Sequence, residues 1–324
     1  MSTETSTDAP RTLPDAPRPL PDAPRPMPED EPRLPPELER EIFVFALSPD
    51  DDDSARNLLL VARRVHEWLE PLLHRTVWSR NSKKLRRIAL NKPPSFLQTA
   101  VRRVILTGYH QGLSPLLLQC TGITSIAFTS DRLYIAELSP LFSLCRLQRM
   151  AMTITPYFPA DAYPALHELA TTPTFASLTH FDIIENIDGD PRLLPFLTAL
   201  PALTHLSVND DLPEDTARAL LGGCTQLKVL VRLSGMYRQL RALEKDLPVR
   251  DDPRLVLCVF VNWWDAVLDE ETFWDEAEEF VRQKTAGDIP GNQFYFRKGD
   301  ESSGEDTPDD NETDVEDEEE ETGA

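Results

Sequence analysis

Apolar residues recur along residues 101–260 in a short pattern: an apolar residue, two variable positions, a second apolar residue, one variable position and a third apolar residue. The six complete copies are Val101-Val104-Leu106, Ile123-Ile126-Phe128, Leu147-Met150-Met152, Leu178-Phe181-Ile183, Leu203-Leu206-Val208 and Leu255-Cys258-Phe260. A further copy, Leu227-Leu230, lacks the third member because Arg232 occupies that position. The first positions are 22 to 31 residues apart. Apolar residues two apart predict one β-strand in each copy.

Short helical patterns separate the strands. They cover residues 114–119, 140–145, 165–170, 193–199, 217–221 and 237–247. A unit of one strand and one helix is too small to bury its own apolar face, so the units must stack and share a continuous interior column. A final run from Glu270 to Lys284 has Phe273, Ala277, Phe280 and Val281 on one stripe, and it is predicted to close the end of this stack.

Side chains between the column positions are predicted to lie on the opposite, concave face of the sheet. The polar candidates there are Arg149, His180, Asp182 and His205, which we expect to contact a target protein. His180 and His205 end two copies of Leu-Thr-His, so they should be neighbours on adjacent strands. No third group completes a metal or catalytic site with them, which favours surface histidines.

The last two rows of this face are apolar, with Val229 and Val231 on one strand and Leu257 and Val259 on the next. Such strands are either covered, for example by the segment around Trp263, or out of the predicted register. The sequence leaves both alternatives open.

A short three-helix module is predicted before the repeats. Leu38, Ile42 and Phe45 have helical spacing in the first. In the second, Leu58, Ala62, Val65 and Leu69 form one stripe, while Leu60, Val61 and Trp68 lie on other faces. A short helical module with apolar residues nearly all round must either dock against the rest of the chain or bind another protein.

This segment resembles an F-box, and it is similar to the F-box-like proteins abundant in mushroom-forming fungi. The resemblance covers about Leu34 to Val77, and its most specific part is Leu-Leu-Leu-Val-Ala-Arg-Arg-Val-His-Glu-Trp at 58–68. It implies contact with a Skp-family adaptor through the following residues: Leu34, Pro35, Ile42, Phe43, Leu60, Val61 and Trp68. The repeats resemble the irregular leucine-rich repeats found behind F-boxes.

The resemblance implies an α/β protein with a three-helix F-box module and an irregular leucine-rich-repeat solenoid. Its expected function is that of a substrate-recognition subunit of a cullin-type (SCF) ubiquitin ligase, with adaptor and cullin as partners. An alternative is a leucine-rich-repeat interaction scaffold that never meets a ligase. A third possibility makes the acidic tail the active part, as a binder of basic proteins.

The amino-acid composition of the two ends of the chain differs from that of the middle. Eleven of the 29 prolines lie in the first 36 residues, and residues 300–324 contain 14 acids and no Lys or Arg. Residues 1–33 and 299–324 are therefore predicted to be disordered. Between them, the predicted domains are the helical module at 34–78, a basic linker at 79–100, and the repeats with their closing helix at 101–298.

The net charge of −22 argues against a nucleic-acid partner, and no apolar stretch is long enough to cross a membrane. Four distant cysteines without Cys-x-x-Cys spacing favour a reducing compartment, cytoplasm or nucleus, and packing roles rather than zinc ligation. The sequence contains no Gly-x-Ser-x-Gly, Walker-type or dinucleotide-binding motif. We therefore expect no enzymatic activity, catalytic residue, metal or cofactor in this chain.

Overall fold

The structure, a computed structural model, describes residues 34–47, 52–79, 83–107, 114–128, 146–209, 212–234, 247, 249–259 and 273–297. The segments 1–33 and 299–324, predicted to be disordered, lie outside these residues. Two compact units make up the chain, Met1–Leu69 and Glu70–Ala324. Within the described part, no helix is long and apolar enough to cross a lipid bilayer.

The first unit is helical, as the apolar spacing predicts. Its helices are α1 (Pro36–Ala46), α2 (Asp52–Leu59) and α3 (Arg63–Leu73), of which the last turn belongs to the second unit. Pro36 suits the start of α1 because the first N–H groups of a helix have no acceptor within it. Arg64 ties α3 to α1: Nη2 donates to Oε1 of Glu39 at 2.7 Å and Nε to Oε2 at 3.0 Å.

The second unit is built on a nine-stranded sheet in which each strand is parallel to its neighbours. The strands lie side by side in chain order: β1 (Thr76–Ser79), β2 (Arg103–Leu106), β3 (Ser125–Phe128), β4 (Arg149–Met152), β5 (His180–Ile183), β6 (His205–Asn209), β7 (Val229–Ser234), β8 (Leu255–Val259) and β9 (Tyr295–Arg297). Strands β2 to β7 each contain the second apolar position of one copy, which confirms the predicted positions of these strands, and β8 begins at Leu255 of the last copy. Residues 76–78 belong to β1 rather than to the helical module, because Val77 aligns with Val104 and is buried with it.

One face of the sheet and the connecting helices enclose the main core, so the predicted α/β fold is confirmed. Aligned residues of neighbouring strands, such as Met150, Phe181 and Leu206, are buried in it. The contributing helices are α4 (Lys83–Asn91), α5 (Pro94–Ala100), α6 (Ser114–Leu117), the 3-10 helices Leu166–Thr171 and Ile187–Gly189, α7 (Leu193–Ala199) and α8 (Glu214–Gly223).

The basic stretch 79–100, predicted to be a linker, forms helices α4 and α5 instead. Leu85 and Ile88 of α4 are buried in the main core, whereas Arg86 and Arg87 are exposed. The two apolar residues lie three positions apart, on one side of the helix. Arg86 and Arg87 therefore belong to the solvent side of an amphipathic helix.

The last repeat departs from the predicted register. Leu255, predicted to be the first position of its triplet, pairs with Leu230, which is a second position. Leu257 consequently lies in the main core, while Val256 and Cys258 occupy the opposite face. The run from Leu255 onward is entirely apolar, so alternation carries no information about which residues face which side.

Helix α9 (Phe273–Ala286) lies on that opposite face, over β7 and β8. Its apolar residues pack in a second core against Val229, Val231, Leu233, Val256 and Cys258. The helix and its stripe are confirmed, but its predicted place at the end of the stack is wrong. Strands β7 and β8 are apolar on both faces, so both faces must be buried. The main core buries one face, and α9 buries the other. Trp263, suggested as the cover, lies outside the described residues.

Two turns share the tripeptide Asp-Pro-Arg, at 190–192 and 252–254. In the first, Oδ1 of Asp190 accepts bonds from the backbone N–H (2.9 Å) and Nε (3.0 Å) of Arg192. The same guanidinium donates through Nη1 to the carbonyl oxygens of Phe158 (3.0 Å) and Tyr163 (2.8 Å). The turn thus holds Arg192 as a clamp on an earlier segment.

Gly122 lies where two backbone segments approach closely before β3. A Cβ atom there would lie 2.1 Å from the carbonyl oxygen of Gln98 and 2.4 Å from Nη1 of Arg102. We expect Gly122→Ala to lower the free energy of unfolding by about 2 kcal/mol, measured by urea denaturation. Gly222→Ala is the control, because no atom outside its chain neighbours and its own helix backbone lies within 4 Å of the added Cβ. Equal losses in the two variants would contradict this steric account.

Candidate functional site

The parallel register brings the predicted target-binding residues together on the face opposite the main core. Arg149, His180 and His205 align across β4, β5 and β6 in one row, and Asp182 aligns with Ser207 in the next. The imidazole rings of His180 and His205 stack with centroids 4.2 Å apart and planes inclined by 3°. The predicted adjacency of the two histidines is confirmed.

Each histidine is held by the threonine before it. Thr179 Oγ1 lies 2.9 Å from Nδ1 of His180, and Thr204 Oγ1 lies 2.8 Å from Nδ1 of His205. Both hydroxyls donate their single proton to a backbone carbonyl, at 3.0 Å in each case. With each hydroxyl proton on its carbonyl, the tautomer consistent with these contacts carries the ring proton on Nδ1.

Helix α9 covers the histidine pair. The indole of Trp274 meets both rings edge-on, with centroids 5.7 Å from His180 and 5.6 Å from His205. Burial is the largest cause that lowers the pKa of His180 to about 3, and positive charge nearby adds to it. Burial also lowers the pKa of His205 to about 4, against the opposing effect of Glu278. Both rings are thus neutral at pH 7.

Asp182 and Ser207 are buried next to the pair, and Ser207 Oγ donates to Asp182 Oδ1 at 2.5 Å. His205 is also buried. The sequence predicted that Arg149, His180, Asp182 and His205 all face a ligand. This prediction needs correction, because α9 covers part of that face of the sheet. Arg149, His180 and Asp182 line what remains open, whereas His205 lies under Trp274.

The open part is a shallow groove between α9 and strands β2 to β5. Its wall residues are Arg103, Ser125, Arg149, His180, Asp182, Phe273 and Trp274, and its floor includes Ala127 and Ala151. Sequence reasoning missed Arg103 and the two aromatic residues of α9. Strand alternation alone places Arg103 on this face, since it directly precedes the column residue Val104.

The predicted adaptor-binding residues all lie in the first unit, where Leu60 and Val61 directly follow α2. Leu34, Pro35, Ile42, Leu60 and Val61 are exposed, whereas Phe43 and Trp68 are half-buried. Leu38 and Phe45, which share the helical spacing of Ile42, are exposed as well. The fractions reach 54% for Ile42, 94% for Phe45, 82% for Leu60 and 59% for Val61. We call Leu38, Ile42 and Phe45 of α1, together with Leu34 just before the helix, the α1 stripe.

The cysteines of the described region are packing residues. Cys120, Cys224 and Cys258 are buried, while Cys145 lies outside the described residues. Burial raises the pKa of the Cys224 thiol to about 11, and this thiol donates to the carbonyl oxygen of Leu197 at 3.6 Å. A protonated, enclosed thiol is a poor nucleophile and a poor metal ligand. Among the residues described, no three His, Cys, Asp or Glu side chains are grouped to hold a metal ion.

Comparison with known proteins adds no assignment. The chain matches no protein-family model, and no curated protein is significantly similar to it in sequence.

Proposed function

We propose that the chain is a substrate-recognition subunit of a cullin-type (SCF) ubiquitin ligase. Its helical unit would bind a Skp-family adaptor as an F-box does, and its repeats would hold a target protein. The observation that carries the proposal is the exposure of the α1 stripe together with Leu60 and Val61. Soluble domains rarely leave so many large apolar side chains of one small helical unit in water without a partner for them.

This exposed apolar surface indicates what kind of binding site the partner offers. Within α1, Leu38, Ile42 and Phe45 are four and three residues apart, the spacing with which an amphipathic helix enters an apolar groove on another protein. Glu39 of α1 is also anchored, since Arg64 donates three hydrogen bonds to its carboxylate. The helix therefore offers its apolar side for binding, while Glu39 is engaged within the unit.

The second unit would be the leucine-rich-repeat solenoid of this subunit. Nine parallel strands adjacent in chain order, with helices in the connections that the structure describes, are what stacked strand–helix units produce. Such a subunit performs no chemistry itself. It raises the effective concentration of target lysines near a charged ubiquitin-conjugating enzyme that the other subunits hold.

Co-purification with recombinant Skp-family adaptor and cullin tests the proposal. We expect the wild-type chain to retain the adaptor, and the double substitution Leu60→Glu with Val61→Glu to weaken binding by about tenfold or more, because it places charge in an apolar interface. Both side chains are mostly exposed, so the fold should persist.

Leu90→Glu is the matched control, since Leu90 is 86% exposed on α4, in the second unit. Its adaptor binding should equal that of the wild type. Absence of adaptor from the wild-type eluate would instead favour the interaction scaffold.

A further inference from the structure

Charge is distributed unevenly along the second unit. Between Glu70 and Asp131 the chain contains nine Lys or Arg residues and no Asp or Glu. We call residues 71–130 the basic region, and it contains strands β1 to β3 and helices α4 to α6. Residues 300–324, which we call the acidic segment, contain 14 acids and no Lys or Arg. The second unit thus combines one purely cationic and one purely anionic stretch.

Helix α4 presents cations of the basic region to solvent. Leu85 and Ile88 fix the orientation of the helix, since both are buried in the main core. Arg86 and Arg87 are exposed on the other side. We call this exposed side of α4, with Arg86 and Arg87, the basic face. It is a surface of one charge sign, because the basic region supplies no carboxylate to balance it.

Exposed cations elsewhere on the second unit lie beside acids of their own surface. Examples are the ion pairs Arg218–Glu214, Lys228–Glu278 and Arg282–Glu279, at 2.9, 2.9 and 2.7 Å. Glu70, the acid that directly precedes the basic region, is engaged by Lys92. The basic face therefore attracts an anionic segment more strongly than these locally balanced surfaces do.

The acidic segment and α4 follow strand ends at the same edge of the sheet. The strands are parallel, so their carboxyl ends share one edge. Helix α4 begins at Lys83, four residues after β1 ends at Ser79. The acidic segment begins at Asp300, three residues after β9 ends at Arg297. Both therefore start close to this edge.

The chain is long enough to join the two. Strands β1 and β9 are the first and last of the sheet, and eight spacings of about 4.8 Å give about 38 Å between them. Residues 298–324 extend to about 90 Å at about 3.3 Å per residue. The acidic segment can therefore reach α4 of its own chain.

Tethering favours this occupant over an acidic molecule in solution. A linked segment is held at an effective concentration in the millimolar range, whereas a free molecule depends on its own concentration. A single surface ion pair contributes only about 0.5 kcal/mol, but many carboxylates of one segment can exchange on the same cations. A nucleic-acid phosphate is further disfavoured by the net charge of −22.

We propose that the acidic segment binds the basic face of α4 in the same chain. Its carboxylates, which include four consecutive glutamates at 318–321, lie against the guanidinium groups of Arg86 and Arg87. Charge carries the contact, so added salt weakens it. The bound segment shields α4 from other acidic molecules. The contact requires neither adaptor nor target, so it stands independently of the proposed ligase function.

Zero-length carbodiimide crosslinking of the full chain, read by mass spectrometry, tests this contact because the reagent joins carboxylates to amines that touch them. Lys83 and Lys84 supply the amines in α4. At about 20 mM salt we expect links from the acidic segment to these lysines, and about fivefold fewer at about 500 mM. Lys228 is the internal control, since it is exposed on the same unit but outside the basic region. Its links to the acidic segment should be about fivefold fewer than those of α4.

Charge reversal at single exposed positions separates this contact from general attraction. Arg87→Glu should lower the yield of links to Lys83 and Lys84 about fivefold, because it replaces an attractive group with a repulsive one. Arg146→Glu is the matched control, since Arg146 is exposed just before β4 and lies outside the basic region. Its yield should equal that of the wild type. Both variants should unfold at the same urea concentration as the wild type, because both positions are exposed.

An equal mixture of isotope-labelled and unlabelled chain distinguishes the possible occupants. A contact within one chain gives crosslinked peptides of one isotopic composition, whereas a contact between copies gives mixed pairs. Mixed pairs in statistical proportion would assign the acidic segment to a second copy and overturn the proposal. Absence of links to Lys83 and Lys84, equal yields at Lys228, or equal losses in Arg87→Glu and Arg146→Glu would overturn it as well.

Discussion

Arg192→Met is expected to lower the free energy of unfolding by about 3 kcal/mol, measured by urea denaturation. The substitution would leave Asp190 without its cation and two backbone carbonyls, of Phe158 and Tyr163, without their donor. The side chains of Arg192 and Asp190 are only 13% and 11% exposed, so water replaces these partners poorly. Hydrogen bonds from Arg192 also hold the pKa of Asp190 below its ordinary value.

The second Asp-Pro-Arg turn supplies the matched control. Arg254 binds Asp252 at 2.7 Å and donates to the carbonyl oxygens of Leu227 and Leu221, at 3.2 and 2.9 Å. Its side chain is 32% exposed, and that of Asp252 is 22% exposed. Arg254→Met should therefore destabilise the chain less than Arg192→Met. The reverse order would contradict the view that burial sets the cost of losing each clamp.

The stacked histidines are expected to make the fold sensitive to mild acid. Their folded pKa values, about 3 for His180 and about 4 for His205, lie below the unfolded value of 6.5. The unfolded chain therefore binds more protons below pH 6.5, and stability falls as the pH drops from 6.5 toward 4. While the folded rings stay neutral, the loss approaches about 1.4 kcal/mol per pH unit for each histidine.

Urea denaturation at pH 7.5 and pH 5 measures this loss. Staying at or above pH 5 limits the contribution of carboxylates, which titrate mainly at lower pH. His205→Phe keeps an aromatic ring beside Trp274 and should reduce the difference between the two pH values. His167→Gln is the control at an exposed position and should leave that difference nearly unchanged. An unchanged difference in His205→Phe would contradict the assignment of the acid sensitivity to the pair.

The strands of this protein could be predicted because each one alternates between a buried column and the other face. Phe181 and Leu206 follow this rule, and they align as the repeat requires. The rule fails at Leu255, where an unbroken apolar run fits both registers. It also cannot tell which surface α9 covers, since an apolar stripe indicates that a helix is buried but not against what.

The strand residues that meet in the candidate groove could be predicted by the same alternation rule. Arg149 and His180 meet there because parallel pairing preserves equivalent positions from unit to unit. The burial of His205 was not predictable, because it depends on Trp274, which lies 69 residues further along the chain. The Asp-Pro-Arg tripeptide occurs twice in the sequence, so the two turns could be recognised from it. Their contribution to stability could not be predicted, because it depends on which carbonyl groups each arginine reaches in the fold.

Hydrogen exchange of the chain with and without the Skp-family adaptor tests the central claim most directly. If the α1 stripe and Leu60 with Val61 form the docking surface, amide exchange should slow in α1 and at residues 58–61 when adaptor is added, while the strands β4 to β6 stay unchanged. Unchanged exchange in α1 and at residues 58–61 at saturating adaptor would contradict the proposed role of this helical unit.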